Sequence, residues 1–199
     1  MKKNNFIVVI TGPIASGKDE VSAVLKKLGA NVIDADVIGH KILEKGKKAY
    51  TKIVKAFGPS ILNKNKQIDR AKLAAKVFSD RSMLNKLNSI SHPEIKACIN
   101  KETKSFSGIL VVNAALLKEL DLSKVADLVV TVYSAKQKRL ARLVGRKYSK
   151  KEALHRMSSQ MGDDRYRELS DIILKNDGSL KELRKAAKKL FEIIRVISS

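Results

Sequence analysis

Phe6-Ile-Val-Val-Ile10 runs directly into Thr11-Gly-Pro-Ile-Ala-Ser-Gly-Lys-Asp19, and a helical pattern follows. The first stretch is apolar without alternation, as expected of a strand that is buried on both faces. Gly29 is placed to end the helix. Before it, apolar residues recur at the spacing of one helix face: Val21, Val24, Leu25 and Leu28. The sequence therefore predicts a buried strand, a glycine loop and a helix in immediate succession.

The loop between this strand and this helix has the spacing of a phosphate-binding loop. Gly12 and Gly17 stand five residues apart and Lys18 follows, which is the pattern G-x-x-x-x-G-K. Backbone N–H groups can curl around a phosphate there because glycine puts no side chain in the way. The pattern alone would arise by chance in roughly one chain in fifteen of this composition, but the flanking strand and helix favour nucleotide binding. The predicted ATP-binding residues of the loop are Gly12, Pro13, Ile14, Ala15, Ser16, Gly17, Lys18 and Asp19.

Asp19 stands where such a loop normally has serine or threonine, whose hydroxyl binds Mg²⁺. The helix dipole favours a carboxylate at this position, but the nucleotide phosphates repel it, so a metal ion or Lys18 has to lie between them. We predict Asp19 as a metal-binding residue. The sequence leaves open whether Asp19 binds Mg²⁺ directly, binds it through water, or weakens the site.

A second predicted strand, Asn31-Val-Ile-Asp-Ala-Asp36, ends in two carboxylates. Strand, helix and strand in about thirty residues form a βαβ unit, whose parallel strands end at the same edge of the sheet. The glycine loop opens at that edge, so Asp34 and Asp36 are predicted to lie near the nucleotide. The alternative is that aspartate here only caps the next helix, a role that would suit Asp36.

Three further apolar runs predict the remaining strands, at 108–113, 128–133 and 171–174. A helix is predicted between the first two of these runs, starting within 114–120, and an amphipathic helix ends the chain. This order of elements predicts an α/β fold in which a five-stranded parallel sheet is wrapped by helices.

Two helical segments are predicted to stand apart from a core of residues 1–36, 104–135 and 170–199. Residues 37–103 are longer than a simple crossover helix and should form a helical lobe, in which Pro93 predicts the start of a new helix. His92, next to it, could equally be a core or a capping residue. Residues 136–169 are helical and very basic. Most of their arginines would lie on a solvated face, but a flap here could exclude water during phosphoryl transfer.

The composition limits the class of protein. The formal charge is +21 over 199 residues, which attraction to nucleotides or nucleic acid, or a bias toward lysine, would explain. Aromatic residues make up only 5% and tryptophan is absent, so the sequence lacks the stacking surface of a single-strand binder, and nucleic acid is not predicted as a partner. Cys98 is the only cysteine, and no apolar run approaches the roughly 18 residues of a membrane span. We therefore expect a cytoplasmic protein that does not enter membranes.

Taken in order, these segments resemble the dephospho-coenzyme A kinases, a branch of the P-loop kinases related to nucleoside-monophosphate kinases. The resemblance covers almost the whole chain, and its ordered set is specific although most segments are weak singly. The matching segments are Thr11-Gly-Pro-Ile-Ala-Ser-Gly-Lys18, Leu28-Gly-Ala-Asn-Val-Ile-Asp-Ala-Asp36, Ala56-Phe-Gly58, Ile68-Asp-Arg70 with Lys72-Leu73, Val77-Phe-Ser79, Ser91-His-Pro93, Leu116-Leu117, Ser159-Gln160 and Asn176-Asp-Gly-Ser-Leu-Lys-Glu-Leu183.

The resemblance implies that the γ-phosphoryl group of ATP is transferred, with Mg²⁺, to the 3′-hydroxyl of dephospho-coenzyme A, the last step of coenzyme A synthesis. It implies that Asp36 takes the hydroxyl proton. Lys18 would hold the phosphates, and the flap residues Arg142 and Arg146 would stabilise developing charge. Further residues that the resemblance implies are Asn176 and Gly178 beside the adenine, and Asp34, His92, Pro93, Leu116 and Leu117 for the acceptor.

Several positions depart from the family pattern. Besides Asp19, Asn113-Ala-Ala115 replaces the more usual Asp-x-Pro, Lys118 replaces an aromatic residue, and Tyr166 stands where lysine is frequent. The segment after Arg146 is one residue shorter than usual. These changes concern the metal site and the rate more than the fold. Two alternatives stay open on the sequence alone: a kinase of another nucleotide-like or small hydroxyl acceptor, and a catalytically degenerate P-loop protein that binds polyanions.

Overall fold

The computed structural model describes residues 5–78, 80–146 and 148–199. Ser79 of the matched segment Val77-Phe-Ser79 lies outside this description, as do residues 1–4 of the predicted core. The chain divides into two compact units: Ala35–Lys104, which we call the helical unit, and the rest of the described chain, which we call the sheet unit. The predicted lobe of residues 37–103 falls within the helical unit. No helix within the described ranges is long and apolar enough to cross a membrane.

A parallel β-sheet organises the sheet unit. Its described strands are β1 (Asn5–Thr11), β2 (Asn31–Asp34), β3 (Gly108–Asn113), β4 (Leu128–Tyr133) and β5 (Ile172–Lys175). They lie in the order β2-β3-β1-β4-β5, and every neighbouring pair is parallel. The predicted five-stranded parallel sheet is therefore confirmed for this part of the chain. The order puts β1, which leads into the glycine loop, in the middle of the sheet.

The register of the strands decides which strand ends are neighbours. Asn113, the last residue of β3, pairs with Ile10 of β1 on one side. On the other side Asn113 pairs with Asp34, the last residue of β2. Because parallel strands end at the same edge of the sheet, Asn113 and Asp34 lie at the edge where β1 enters the glycine loop.

Helices flank the sheet and make up the helical unit. In chain order the described helices are α1 (Lys18–Lys27), α2 (Ala35–Lys41), α3 (Lys48–Phe57), α4 (Arg70–Phe78), α5 (Arg81–Ser105), α6 (Lys136–Gly145), α7 (Lys150–Ser158), α8 (Asp163–Glu168) and α9 (Leu180–Ile197). The helices α6 to α8 occupy the segment that the sequence predicts as a flap.

The core of the sheet unit lies between the sheet and the helices α1 and α9, which pack against each other. Ile10 of β1, Leu25 of α1 and Ile194 of α9 are fully buried in it. Full burial of a side chain of this size stabilises the fold by about 1.5–3 kcal/mol. This core holds the end of β1 and the start of α1 in place, and the glycine loop joins those two points.

The prediction that a new helix begins at Pro93 is wrong. Helix α5 runs from Arg81 to Ser105 with Pro93 inside it. A proline there has no N–H to donate to the preceding turn and crowds its carbonyl, at a cost of about 3 kcal/mol. Ile95 and Ile99 on the far side of the proline are buried, so the packing of this helix face outweighs the local cost.

The helix predicted to start within 114–120 does not form either. Between β3 and β4 the chain makes turns, with one short 3₁₀ segment at Leu122–Lys124. Leu120 and Leu122 are each 1% exposed. Residues two positions apart lie on opposite faces of an α-helix, so a single helix could not bury both of these leucines.

Candidate active site

The glycine loop between β1 and α1 has two positions that exclude any side chain. Gly12 has φ +146°, and a Cβ on it would lie 2.2 Å from the backbone oxygen of Val132. Gly17 has φ +105°, and a Cβ on it would lie 2.4 Å from Nδ2 of Asn176. Both glycines are needed for the backbone conformation and for close approach to a neighbouring strand or loop.

Gly12→Ala is expected to destabilise the protein by roughly 2–4 kcal/mol, because it combines a strained φ with a collision against a backbone carbonyl that cannot move away. For a chain of this size that corresponds to a fall in melting temperature of about 5–12 °C, measured by circular dichroism. Gly29→Ala is the matched control, since Gly29 has φ +106° but nothing within 4 Å of its Cβ position. Equal melting temperatures for the two variants would show that the collision has no effect.

Side chains from distant parts of the sheet unit hold the loop backbone. Asn176 donates from Nδ2 to the carbonyl of Ser16 at 2.6 Å. Arg142 donates to the carbonyl of Ala15 at 3.0 Å and to that of Asn176 at 2.9 Å. The backbone N–H of Ile14 donates to Oε1 of Gln160 at 2.7 Å. These hydrogen bonds hold the loop backbone to the rest of the sheet unit, and Arg142 contributes to them directly.

The turn between β5 and α9 carries Asn176 and is itself anchored. Asp177 accepts from the backbone N–H of Ala135 at 2.8 Å and from Oγ of Ser134 at 3.2 Å. The hydrogen bond from Ala135 is the main reason that the pKa of Asp177 is below its usual value. Gly178 is exposed, and a Cβ on it would lie 2.2 Å from the carboxylate of Glu182 in the capping box that starts α9.

A line of polar side chains runs from the start of α1 across the ends of β3 and β2. Lys18 Nζ donates to Asp19 Oδ1 at 2.7 Å. Asn113 Nδ2 donates to the same Asp19 oxygen at 3.0 Å and to Asp34 Oδ2 at 3.0 Å. Asn113 is 2% exposed and Lys18 is 9% exposed, whereas the side chain of Asp19 is 70% exposed. Asn113 and Lys18 are therefore the buried part of the line, and the carboxylate of Asp19 faces solvent.

Hydrogen bonds and nearby positive charges lower the pKa of Asp19. Partial burial raises its pKa, but the hydrogen bonds from Lys18 and Asn113 and the charges of Lys18 and Arg146 together leave the pKa of Asp19 below its usual value. Arg146, just after α6, is thus close enough for its charge to act on Asp19. The arrangement is a partly exposed carboxylate that two cations, Lys18 and Arg146, influence, next to a glycine loop.

Residues 6–182 match the family model described as dephospho-CoA kinase. The chain belongs to the dephospho-CoA kinase family. It is an ATP-dependent kinase, and the reaction of the family is the last step of coenzyme A biosynthesis. ATP is the phosphoryl donor of dephospho-CoA kinases, and Mg²⁺ is the usual metal partner of kinases.

Related proteins support the assignment to the dephospho-CoA kinases. A dephospho-CoA kinase from Carboxydothermus hydrogenoformans is 42% identical over 183 residues, which cover 89% of each chain. A dephospho-CoA kinase from Campylobacter jejuni has a similar structure, with a TM-score of 0.65 at 29% identity over 96% of this chain and 97% of that chain. A Thermus thermophilus protein gives a TM-score of 0.80 at 27% identity over 96% and 98% of the two chains.

The residues at the loop fit the phosphates of ATP and a Mg²⁺ ion. Ser16 Oγ is buried without a hydrogen-bond partner among the described residues, so a donor is available inside the loop. Mg²⁺ in kinases is usually held by one or two carboxylates together with substrate phosphates. Asp19 and Asp34 can supply those oxygens. The described residues contain no group of three His, Cys, Asp or Glu side chains placed to hold a metal without a substrate.

The remaining predicted site residues of this dephospho-CoA kinase differ in exposure. Asp36 is exposed in the first turn of α2, so it lies inside that helix rather than capping it. In α5 of the helical unit, His92 is partly buried and Pro93 is exposed. In the sheet unit Leu116 is partly exposed, but Leu117 is fully buried and offers no surface to an acceptor.

Sequence reasoning missed the role of Asn113 in this site. The sequence marks Asn113 only as a departure from the family pattern at the end of a predicted buried strand, and the structure places that strand next to β1. Gln160 appears in a matched segment without a role, and the structure joins it to the loop backbone. The available signal for both was a polar amide in a segment that the fold brings to the nucleotide edge.

Proposed function

We propose that this chain transfers the γ-phosphoryl group of ATP to the 3′-hydroxyl of the ribose in dephospho-coenzyme A. The observation that carries the acceptor is the family match over residues 6–182, and the glycine loop with Lys18 and the Asp19–Asn113–Asp34 line supports the transfer from ATP. In the reaction the 3′-oxygen bonds to the γ-phosphorus, the bond from this phosphorus to the β,γ-bridging oxygen breaks, and ADP leaves. The hydroxyl proton passes to a base.

Binding of the ATP phosphates falls to the loop. The two glycines allow the backbone conformation of the loop, and the start of α1 adds the partial positive charge of a helix N-terminus. Lys18, which is largely buried, supplies a fixed cation for the outer phosphates. A bound Mg²⁺ would offset negative charge on the phosphates, with Asp19 and Asp34 as its protein ligands.

The two flap arginines take different roles. Arg142 already donates to two backbone carbonyls, of Ala15 and of Asn176, so it acts as a positioning residue that shapes the loop. Arg146 is exposed, and its charge acts on Asp19. We assign to Arg146 the stabilisation of negative charge that develops on the transferring group.

Asp36 is the proposed base. It follows Asp34 by two residues, and it is an exposed carboxylate in the first turn of α2. A carboxylate that accepts the proton of the attacking hydroxyl also orients that hydroxyl, as in other kinases. His92 and Pro93 in the helical unit are proposed acceptor contacts, and so is Leu116 in the sheet unit, whereas Leu117 is buried in the core.

The cytoplasm is the proposed compartment, since ATP is available there and the one cysteine, Cys98, is a free thiol. Nucleic acid is not part of the proposal. The +21 charge is assigned to attraction of phosphorylated substrates and to composition.

The test is coupled ATP-to-ADP turnover with Mg²⁺, with dephospho-coenzyme A as acceptor and AMP, CMP and adenosine as matched alternatives. We expect turnover with dephospho-coenzyme A to exceed that with each alternative by at least about 10²-fold, because binding energy from the remainder of the substrate aligns the hydroxyl. The product should carry its new phosphate on the 3′-oxygen, as read by phosphorus NMR. Equal turnover with AMP or adenosine would contradict the proposed acceptor.

A further inference from the structure

Asp19 and Asn113 are both unusual for a P-loop kinase, and a hydrogen bond of 3.0 Å joins them. P-loop enzymes commonly hold Mg²⁺ with a serine or threonine at the helix start and an aspartate from a strand end. Here the carboxylate is at the helix start and an uncharged amide is at the end of β3. The two positions together carry one carboxylate in either arrangement.

Asn113 suits the second arrangement because its amide donates twice. Nδ2 bonds to Asp19 Oδ1 and to Asp34 Oδ2, so each carboxylate receives a hydrogen bond where the two would otherwise repel. Asn113 is 2% exposed, and its Oδ1 is buried without a partner among the described residues. An aspartate at this position would remove both hydrogen bonds and bury a third carboxylate with no donor for one of its oxygens.

The single change Asp19→Ser would also be unfavourable, because it removes a carboxylate from the line instead of adding one. The Asn113 amide would lose one of its two carboxylate acceptors, and Lys18 would lose the carboxylate that it contacts at 2.7 Å. Asp34 would then be the only carboxylate left in the line. Each single change toward the common pattern, Asp19→Ser or Asn113→Asp, therefore disturbs the site.

We infer that this chain has exchanged the positions of the carboxylate and the uncharged polar side chain of the common metal site. The carboxylate is Asp19 at the helix start, and the uncharged side chain is Asn113 at the end of β3. Asp19 supplies the carboxylate that faces a divalent cation bound to the nucleotide phosphates, and Asn113 is the positioning residue that holds Asp19 beside Asp34. Asp19 thus contributes to metal binding and is not a poor substitute for serine. The inference depends on the proposed function only in requiring that the chain binds ATP.

Four proteins test it: the wild type, Asp19→Ser, Asn113→Asp and the double variant. Isothermal titration calorimetry gives the affinity for ATP in excess Mg²⁺ and again in EDTA, without any acceptor. The ratio of the two affinities measures how much the metal contributes to nucleotide binding. The melting temperature of each ligand-free protein is measured by circular dichroism.

Asp19→Ser should lower the metal ratio about tenfold, the effect of losing one charged ligand interaction. Asn113→Asp should lower the ligand-free melting temperature by about 5 °C or more. The double variant should return the metal ratio to within about threefold of wild type and recover part of the melting temperature, because the pair is coupled. Recovery by the second change distinguishes an exchange from two independent structural losses.

Glu20→Ser is the matched control. Glu20 is the next carboxylate in the first turn of α1, and it pairs with Arg184 of α9 at 2.6 Å, so its loss should leave the metal ratio unchanged. The inference is overturned by an unchanged or higher metal ratio in Asp19→Ser. It is also overturned if the fold-decrease of the metal ratio in the double variant equals the product of the fold-decreases in the two single variants. A double variant as unstable as Asn113→Asp would also contradict it. These measurements use no acceptor. Inactivity toward dephospho-coenzyme A would therefore contradict the proposed function without changing the interpretation of the metal ratios.

Discussion

Asp36→Asn is expected to lower turnover with dephospho-coenzyme A by about 10²–10⁴-fold while the affinity for ATP stays within about twofold of wild type. Asparagine keeps the size of the side chain but cannot take the proton of the attacking hydroxyl. The loss should therefore appear in kcat and only weakly in the KM for ATP. Steady-state kinetics in the coupled assay, with ATP affinity measured separately by calorimetry, separates these two effects.

Glu44→Gln is the control for this change, because Glu44 is an exposed carboxylate a few residues beyond α2. It should leave turnover unchanged. Near-normal turnover in Asp36→Asn would remove Asp36 from the mechanism. The proton would then have to leave by another route, such as the γ-phosphate itself.

Lys18→Met is expected to lower kcat/KM for ATP by roughly 10³-fold, because it removes a preorganised cation at the phosphates. Unlike the change at Asp36, it should weaken ATP binding as well as turnover. It also removes the cation that contacts Asp19 at 2.7 Å, so the carboxylate would keep only Asn113 as its donor in the line. Calorimetry with ATP and steady-state kinetics measure the two losses.

Lys27→Met, at the exposed end of the same helix, is the matched control for the loss of one positive charge. The overall charge changes equally in the two variants, so a loss specific to Lys18→Met comes from its position at the loop. Equal small losses in both variants would show that general attraction by the +21 chain, rather than a fixed cation, binds the phosphates.

Local patterns were sufficient for most of the fold. The apolar run of β1, the glycine spacing and the helical repeat of α1 each lie within a few residues of one another, so their structure follows from short-range periodicity. The two errors arose where packing overrode a local rule. Pro93 lies inside α5 because Ile95 and Ile99 beyond it are buried, and the segment after β3 makes turns because Leu120 and Leu122 both enter the core.

The candidate site divides in the same way. The glycine loop with Lys18 was readable as a motif, and Asp34 was placed at the nucleotide edge by the βαβ connection. The hydrogen bonds of Arg142 and Gln160 to the loop backbone could not be predicted, because neither contact is local in sequence. Arg142 is 127 residues from Ala15, and Gln160 is 146 residues from Ile14.

The sequence by itself determined that a buried strand enters a glycine loop with phosphate-binding spacing, and that Asp19 stands where such loops usually have serine or threonine. Only the tertiary structure decided which side chains that carboxylate contacts. Asn113 lies 94 residues from Asp19 and 79 residues from Asp34 along the chain, yet its amide bonds to both. The register of parallel strands brings them together, and that register depends on packing of the entire core rather than on any local pattern.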